Sequence, residues 1–169
     1  MKLIKRVLFF ILAFGIINIH GQNLKLGHIN TSELLKLMPE VKKAQADLDS
    51  YSKELQKQSE ELVNEYQKKL EDYQNLSANM SDVVKKDKET ELMQLEQRIK
   101  KFQEEAQSEV QKKQSELLEP IMKKVQDVIK EVAKEKGYTY IFDTSGGVVL
   151  YSTDEDDISS FVKKKLGLN

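Results

Sequence analysis

The sequence has 169 residues, with 27 Lys and Arg against 28 Asp and Glu, two His, no Cys and no Trp. The absence of Cys excludes disulfides and thiolate metal sites. The near balance of charge argues against a general nucleic-acid binder, whose affinity would rest on clustered positive charge facing phosphates.

The chain opens Met1-Lys2-Leu3-Ile4-Lys5-Arg6, runs through eleven uncharged residues from Val7 to Ile17, and reaches the small residue Gly21. A positive start, a short apolar run and a small residue form a secretory signal peptide over residues 1–21. The apolar run falls short of the roughly 18 to 20 residues that a membrane-spanning helix needs. Cleavage near Gly21 removes Lys2, Lys5 and Arg6 and no acid, so the basic count falls from 27 to 24 against 28 acids, a net charge of −4.

Leu24 to Asn30 is a candidate strand. From Leu34 the apolar positions fall at Leu34, Leu37, Val41, Ala44, Leu48, Tyr51 and Leu55, alternating steps of three and four, which is the seam of a coiled coil. The seam resumes at Leu62, Tyr66, Leu70 and Tyr73 with a longer stride that relaxes the supercoil. A second series includes Val84, Leu92, Leu95, Ile99, Phe102, Ala106, Val110, Leu117 and Ile121, and continues to Val132. Between the two lies Asn75-Leu76-Ser77-Ala78-Asn79-Met80-Ser81-Asp82, suited to ending one helix and capping the next. If the chain folds back there, Tyr73 meets Val84, Leu55 meets Phe102 and Val41 meets Leu117, apolar against apolar each time. Leu70 against Lys88 is the mismatch. Pro39 and Pro120 come level at the base; the first suits a helix start, whereas the second is expected to kink or interrupt its helix. Each arm of the prong over residues 39–120 has 38 residues, or about 57 Å at 1.5 Å per residue.

Beyond the prong, Tyr138 to Asp143 and Gly147 to Tyr151 form two β-rich runs separated by Thr144-Ser145-Gly146-Gly147, which predicts a hairpin. Ile158, Phe161, Val162 and Leu166 then mark an amphipathic helix, with Asp154 to Asp157 in its first turn and Lys163 to Lys165 in its last, matching the helix dipole. Residues 22–38 and 121–169 thus supply a small β/α body. The fold class is α+β, dominated by a long antiparallel helical hairpin. A body this small has too little core to stand alone, so oligomerisation is expected to supply the missing burial.

No catalytic or cofactor constellation stands out. His28 is alone after export, and a single His makes neither a metal site nor a proton relay. Asp154 to Asp157 lacks the alternating ligands and central Gly of a calcium loop. Thr144 to Gly147 lacks the Gly-Lys-Ser/Thr ending of a phosphate loop. No enzyme, metal or cofactor is therefore expected. A two-helix hairpin cannot bury both flanks of its aromatic and Met side chains, which makes Tyr51, Tyr66, Tyr73, Leu76, Met80 and Met93 the candidates for contact with a partner. Packing within the hairpin is the other reading of these residues, strongest for the tyrosines and weakest for Leu76 and Met80 at the tip.

The pieces run Leu26-Gly27-His28-Ile29-Asn30, Met38-Pro39-Glu40, Lys43-Ala44-Gln45-Ala46-Asp47-Leu48, the Lys/Gln/Glu hairpin and Pro120-Ile121. They continue through Val132-Ala133-Lys134-Glu135-Lys136-Gly137-Tyr138, Tyr140-Ile141-Phe142-Asp143 and Val149-Leu150-Tyr151. Their order resembles the Skp/OmpH family of periplasmic chaperones. The resemblance implies a homotrimer in the periplasm of a Gram-negative bacterium, whose prongs enclose a cavity for unfolded outer-membrane proteins and hold them without ATP. One departure is charge. The best-known family members are strongly basic, whereas residues 39–120 here carry 14 basic and 19 acidic side chains, a net of −5. Direct binding of lipopolysaccharide or an acidic membrane surface is therefore not carried over. The alternative function is a periplasmic structural coiled coil, or spacer, with one fixed partner.

Overall fold

A computed structural model describes residues 24–168; the predicted signal peptide lies outside them. The elements in order are β1 (Leu26–Ile29), α1 (Thr31–Leu37), α2 (Pro39–Leu76), a 3-10 turn (Ser77–Asn79), α3 (Asp82–Lys136), β2 (Tyr140–Asp143), a second 3-10 turn (Asp154–Asp156) and α4 (Ser159–Leu166). The two long helices, α2 and α3, form the expected antiparallel prong, so the fold class predicted from periodicity is the one observed.

Local chemistry sets the boundaries. Asn30 caps α1 by accepting from the Glu33 amide at 3.0 Å. Met38 adopts extended backbone and Pro39 opens α2 at a position where its missing N–H costs nothing. Ser81 caps α3, whose far end closes on Gly137 at φ 72°, a left-handed conformation that glycine adopts without a Cβ penalty. Pro120 does not interrupt α3, which continues through it for sixteen more residues. Burial on the C-terminal side explains why: Ile121, Val125 and Val132 pack into the core and hold the helix together across the lost hydrogen bond.

The body differs more from expectation. β2 pairs in parallel with β1, Leu26 opposite Tyr140 and Ile29 opposite Asp143, rather than antiparallel with the segment after it. Gly147 does close a turn, at φ 70°, but Val148 to Ser152 is not a strand. Its side chains Val148, Leu150 and Tyr151 are 86%, 94% and 84% exposed. The β propensity is present, and among the described residues no strand takes it up. The acids also sit differently: Asp154 to Asp156 form their own 3-10 turn, and Asp157, two residues before α4, accepts from the Ser159 amide at 2.7 Å.

One continuous core lies at the base of the prong. Ile29, Leu34 and Met38 from the N-terminal piece meet Ile121, Val125 and Val132 of α3 and Ile158 and Val162 near the C-terminus. Gly27 is needed where this core is tightest, because a Cβ there would come within 2.9 Å of the Tyr138 ring and 3.1 Å of Ile158. Asp143 ties the two halves together, accepting from the Thr31 hydroxyl at 2.5 Å and the Ser145 amide at 2.9 Å. Burial pushes this carboxyl up, but the hydrogen bonds from Thr31 and Ser145 together outweigh it and leave its pKa lowered.

Ile158 is fully buried and joins the C-terminal helix to both other pieces. Replacing it by Ala should therefore lower the unfolding free energy by roughly 2–5 kcal/mol, read by urea denaturation; a loss below about 1 kcal/mol would contradict this account of the core.

Candidate functional site

The tip is where the sequence-predicted contact residues gather most clearly. Leu76 ends α2 with 54% of its surface exposed, and Met80 is half-buried in the connection. The first turn of α3 adds Val83 at 80% and Val84, partly exposed, neither of which was singled out for contact from the sequence. Val84 has the spacing of a seam residue, yet it is 43% exposed in the turn of α3 next to the hairpin connection, where α2 has only three residues beyond Tyr73. Together these side chains form an apolar cap on the prong.

The remaining candidates lie along the arms and are not brought together. Tyr51 is half-buried, with the Lys113 ammonium 5.8 Å from its ring centre, within the range of a cation–π contact. Tyr66 is half-buried in the seam. Tyr73 is also half-buried, and its hydroxyl donates to Glu89 across the hairpin at 2.5 Å; that bond holds the phenol pKa above its ordinary value. The tyrosines thus do packing work within the hairpin. Met93, on α3, stands out from the seam at 57% exposure.

The mismatch at Leu70 and Lys88 is resolved by a polar clasp. Glu91 accepts from Lys69 on the opposite arm and from Lys88 on its own at 2.9 Å. The Lys69 bond first and the Lys88 bond second hold its carboxyl well below the usual range, at about 2. Two lysines facing one carboxylate let the seam tolerate a charge where an apolar residue was due.

A second exposed apolar surface lies on the body. Leu26, Tyr140 and Phe142 project from the short sheet, and Val148, Leu150 and Tyr151 follow in the unpaired segment. A cavity of about 440 Å³ opens between them, lined by Leu26, His28, Phe142, Val149, Tyr151 and Asp156. His28 shares a 2.8 Å hydrogen bond with the Thr153 carbonyl, which fixes the returning segment against β1. Strand-like composition at Leu26, Phe142, Val149 and Tyr151 does not by itself reveal that these side chains border one cavity. Among the described residues no helix is long and apolar enough to cross a membrane, and no cluster of potential ligands is placed to hold a metal.

This arrangement, a helical hairpin rising from a small parallel β pair, recurs in known proteins. The family described as outer membrane protein (OmpH-like) matches residues 25–166. The chain belongs to the OmpH-like family. Among solved structures, a candidate outer membrane chaperone (OmpH-like) from Caulobacter crescentus CB15 superimposes with a TM-score of 0.73. That likeness covers 85% of this chain and 83% of the other at 12% identity, so it is a likeness of fold. No curated protein matches the sequence.

The clasp has a testable consequence. Because the folded pKa of Glu91 is depressed, its contribution is present above the ordinary carboxylate value of 4.5 and is lost as pH falls toward about 2. Spin labels at Gln67 and Gln94, on opposite arms, should show a broadened distance distribution in Glu91→Gln, and in the parent chain at the acid end of that window. An unchanged distribution in both would show that the clasp does not hold the arms.

Proposed function

We propose that this OmpH-like chain is an ATP-independent periplasmic holdase, which binds unfolded outer-membrane β-barrel proteins and keeps them from aggregating. The observation that carries the reading is the apolar cap of Leu76, Met80, Val83 and Val84, left uncovered by the described residues at the end of a two-helix prong. Exposed apolar patches of this kind mark interaction surfaces, and flexible Met and Leu side chains suit varied partners. Family membership supports the same role, and residues 1–21 supply the export signal it requires. Tyr51, Tyr66, Tyr73 and Met93 are the proposed secondary contacts along the arms.

The working form on this reading is a homotrimer. Among the described residues the outer edge of β2 is unpaired, and unpaired edges next to apolar side chains invite pairing with another chain. Leu26, Tyr140, Phe142, Leu150 and Tyr151 supply the apolar area for a shared body. Residues 39–120 are net acidic, which disfavours lipopolysaccharide and acidic membrane surfaces as ligands.

The test of holding is light scattering of a urea-unfolded β-barrel protein diluted into buffer without nucleotide. The chain should suppress aggregation of several unrelated barrel proteins, with little change between low and moderate salt, since apolar contact is not screened as exposed charge is. Leu76→Ser with Met80→Ser should weaken suppression while helix content stays near that of the parent. Action on a single folded partner only would favour the spacer reading, and full activity of the double variant would remove the tip from the account.

Assembly is tested by sedimentation. The parent should run as a trimer at tens of micromolar, roughly where weak assemblies form, whereas Leu150→Asp with Tyr151→Asp should shift it to monomer. A monomeric parent at that concentration would overturn the trimer.

A further inference from the structure

The base-side half of the prong has two faces of different chemistry. At 3.6 residues per turn, α2 places Gln45, Ser52, Gln56, Ser59 and Val63 on one flank of its seam. Its other flank carries Glu40, Lys43, Asp47, Glu54 and Glu61. α3 repeats the division toward the base, with Gln103, Gln107, Gln111, Gln114 and Leu118 on one flank and Arg98, Glu105, Glu109, Lys112 and Glu116 on the other, while Glu96 and Lys100 continue the first flank toward the tip.

The crevices beside the seam show that like flanks lie together. One is lined by Gln45 of α2 with Gln114 and Leu118 of α3. The other, on the opposite side, is lined by Gln58, Glu61 and Glu65 of α2 with Arg98 of α3, over the seam residues Leu62 and Phe102. The hairpin therefore presents an amide and hydroxyl face on one side and an ionic face on the other. Where carboxylates border the neutral face, its own glutamines engage them: Gln45 donates to Asp49 at 2.8 Å and Gln56 to Glu60 at 2.9 Å.

A merely solvated helix pair has no need to segregate its charges to one side. A face built for permanent helix packing would in turn be apolar, and here Val63 and Leu118 are its apolar members while the glutamines are exposed. What an exposed, amide-rich face with few charges offers is hydrogen bonding with little ionic desolvation. Each Gln supplies two donor hydrogens and an acceptor oxygen, which complement peptide N–H and C=O groups whatever the side chains of the bound segment.

We propose that this neutral face, between Gln45 and Val63 on α2 and between Gln103 and Leu118 on α3, holds the backbone of an unfolded polypeptide segment, and that the ionic face is turned to solvent. The inference rests on the holdase reading above and adds to it a client surface near the base, distinct from the apolar tip.

Near-isosteric charge insertion tests it, using binding of a urea-unfolded β-barrel protein to the full chain. Gln56→Glu, Gln107→Glu and Gln111→Glu combined should weaken binding about tenfold, and the same three positions changed to Lys should weaken it comparably, because either sign of charge must be desolvated. Neutralising the other face with Glu54→Gln, Glu105→Gln and Glu109→Gln should leave affinity within about twofold. Photo-crosslinkers at Gln56 and Gln107 should capture client, and those at Glu54 and Glu105 should not. If the Glu and Lys sets have opposite effects, if neither weakens binding, if the ionic-face set loses as much, or if the crosslinkers at Gln56 and Gln107 join two copies of this chain instead, the inference is overturned while the holdase reading stands. A parent chain that holds no client overturns that reading, and the inference with it.

Discussion

A pair of helices has one seam. Each helix can turn a single stripe toward its partner, and everything off that stripe meets solvent or another molecule. In α2 and α3 this constraint explains why burial is nearly complete only near the base and at Leu92 and Leu95, while Tyr51, Tyr66 and Tyr73 stay half-buried although they lie in the seam. It also explains why the prong depends on the body. The base core fixes the angle at which the arms leave, through Met38, Ala44, Ile121 and Val125, and a lysine–carboxylate bond between Lys124 and Glu40 at 2.6 Å adds a surface tie at the same level. Such an exposed ion pair contributes little by itself, so the apolar contacts beneath it set the geometry.

Charge is placed by the same geometry. Near the tip, where apolar cover runs out, polar bonds across the hairpin take over: Tyr73 to Glu89, and Lys69 with Lys88 to Glu91. Nearer the base the ionic side chains collect on one side and the glutamines on the other. The net charge of −5 over residues 39–120 therefore does not describe either face, and an argument from net charge alone would miss the neutral one.

The long elements were legible because they are governed by local rules. The three-and-four spacing from Leu34 to Leu55, the Asn75 to Asp82 break and the two prolines locate both arms and the turn, and family resemblance follows from their order. The short elements were not, because pairing is a question of what else is nearby. Tyr138 to Asp143 and Gly147 to Tyr151 have the composition of a hairpin, but β1 offers a parallel edge already packed on Ile158 and Val132, and that burial outweighs a local turn. Pro120 is a similar case, where tertiary packing of Ile121 and Val125 overrides a local preference. For the site, Leu76 and Met80 could be found from position at the tip, whereas Val84 carries the seam spacing and Val83 carries no periodic signal, so spacing points to neither as exposed.

The body and the tip share one property, in that each leaves apolar surface that the described residues do not cover, but the two differ in kind. On the body, an open strand edge lies beside Tyr140 and Phe142, so backbone and side-chain complementarity coincide; such a surface favours one fixed partner in one register. At the tip, Leu76, Met80 and Val83 project from a turn with no strand edge and no enclosing groove, so nothing there selects a register. A holdase without ATP must let its clients go by dissociation alone, which requires many weak contacts rather than one strong one. On the proposed reading, the surface with register is used for assembly and the surfaces without it for clients. The chemistry of each end then follows from whether its partner is always the same molecule.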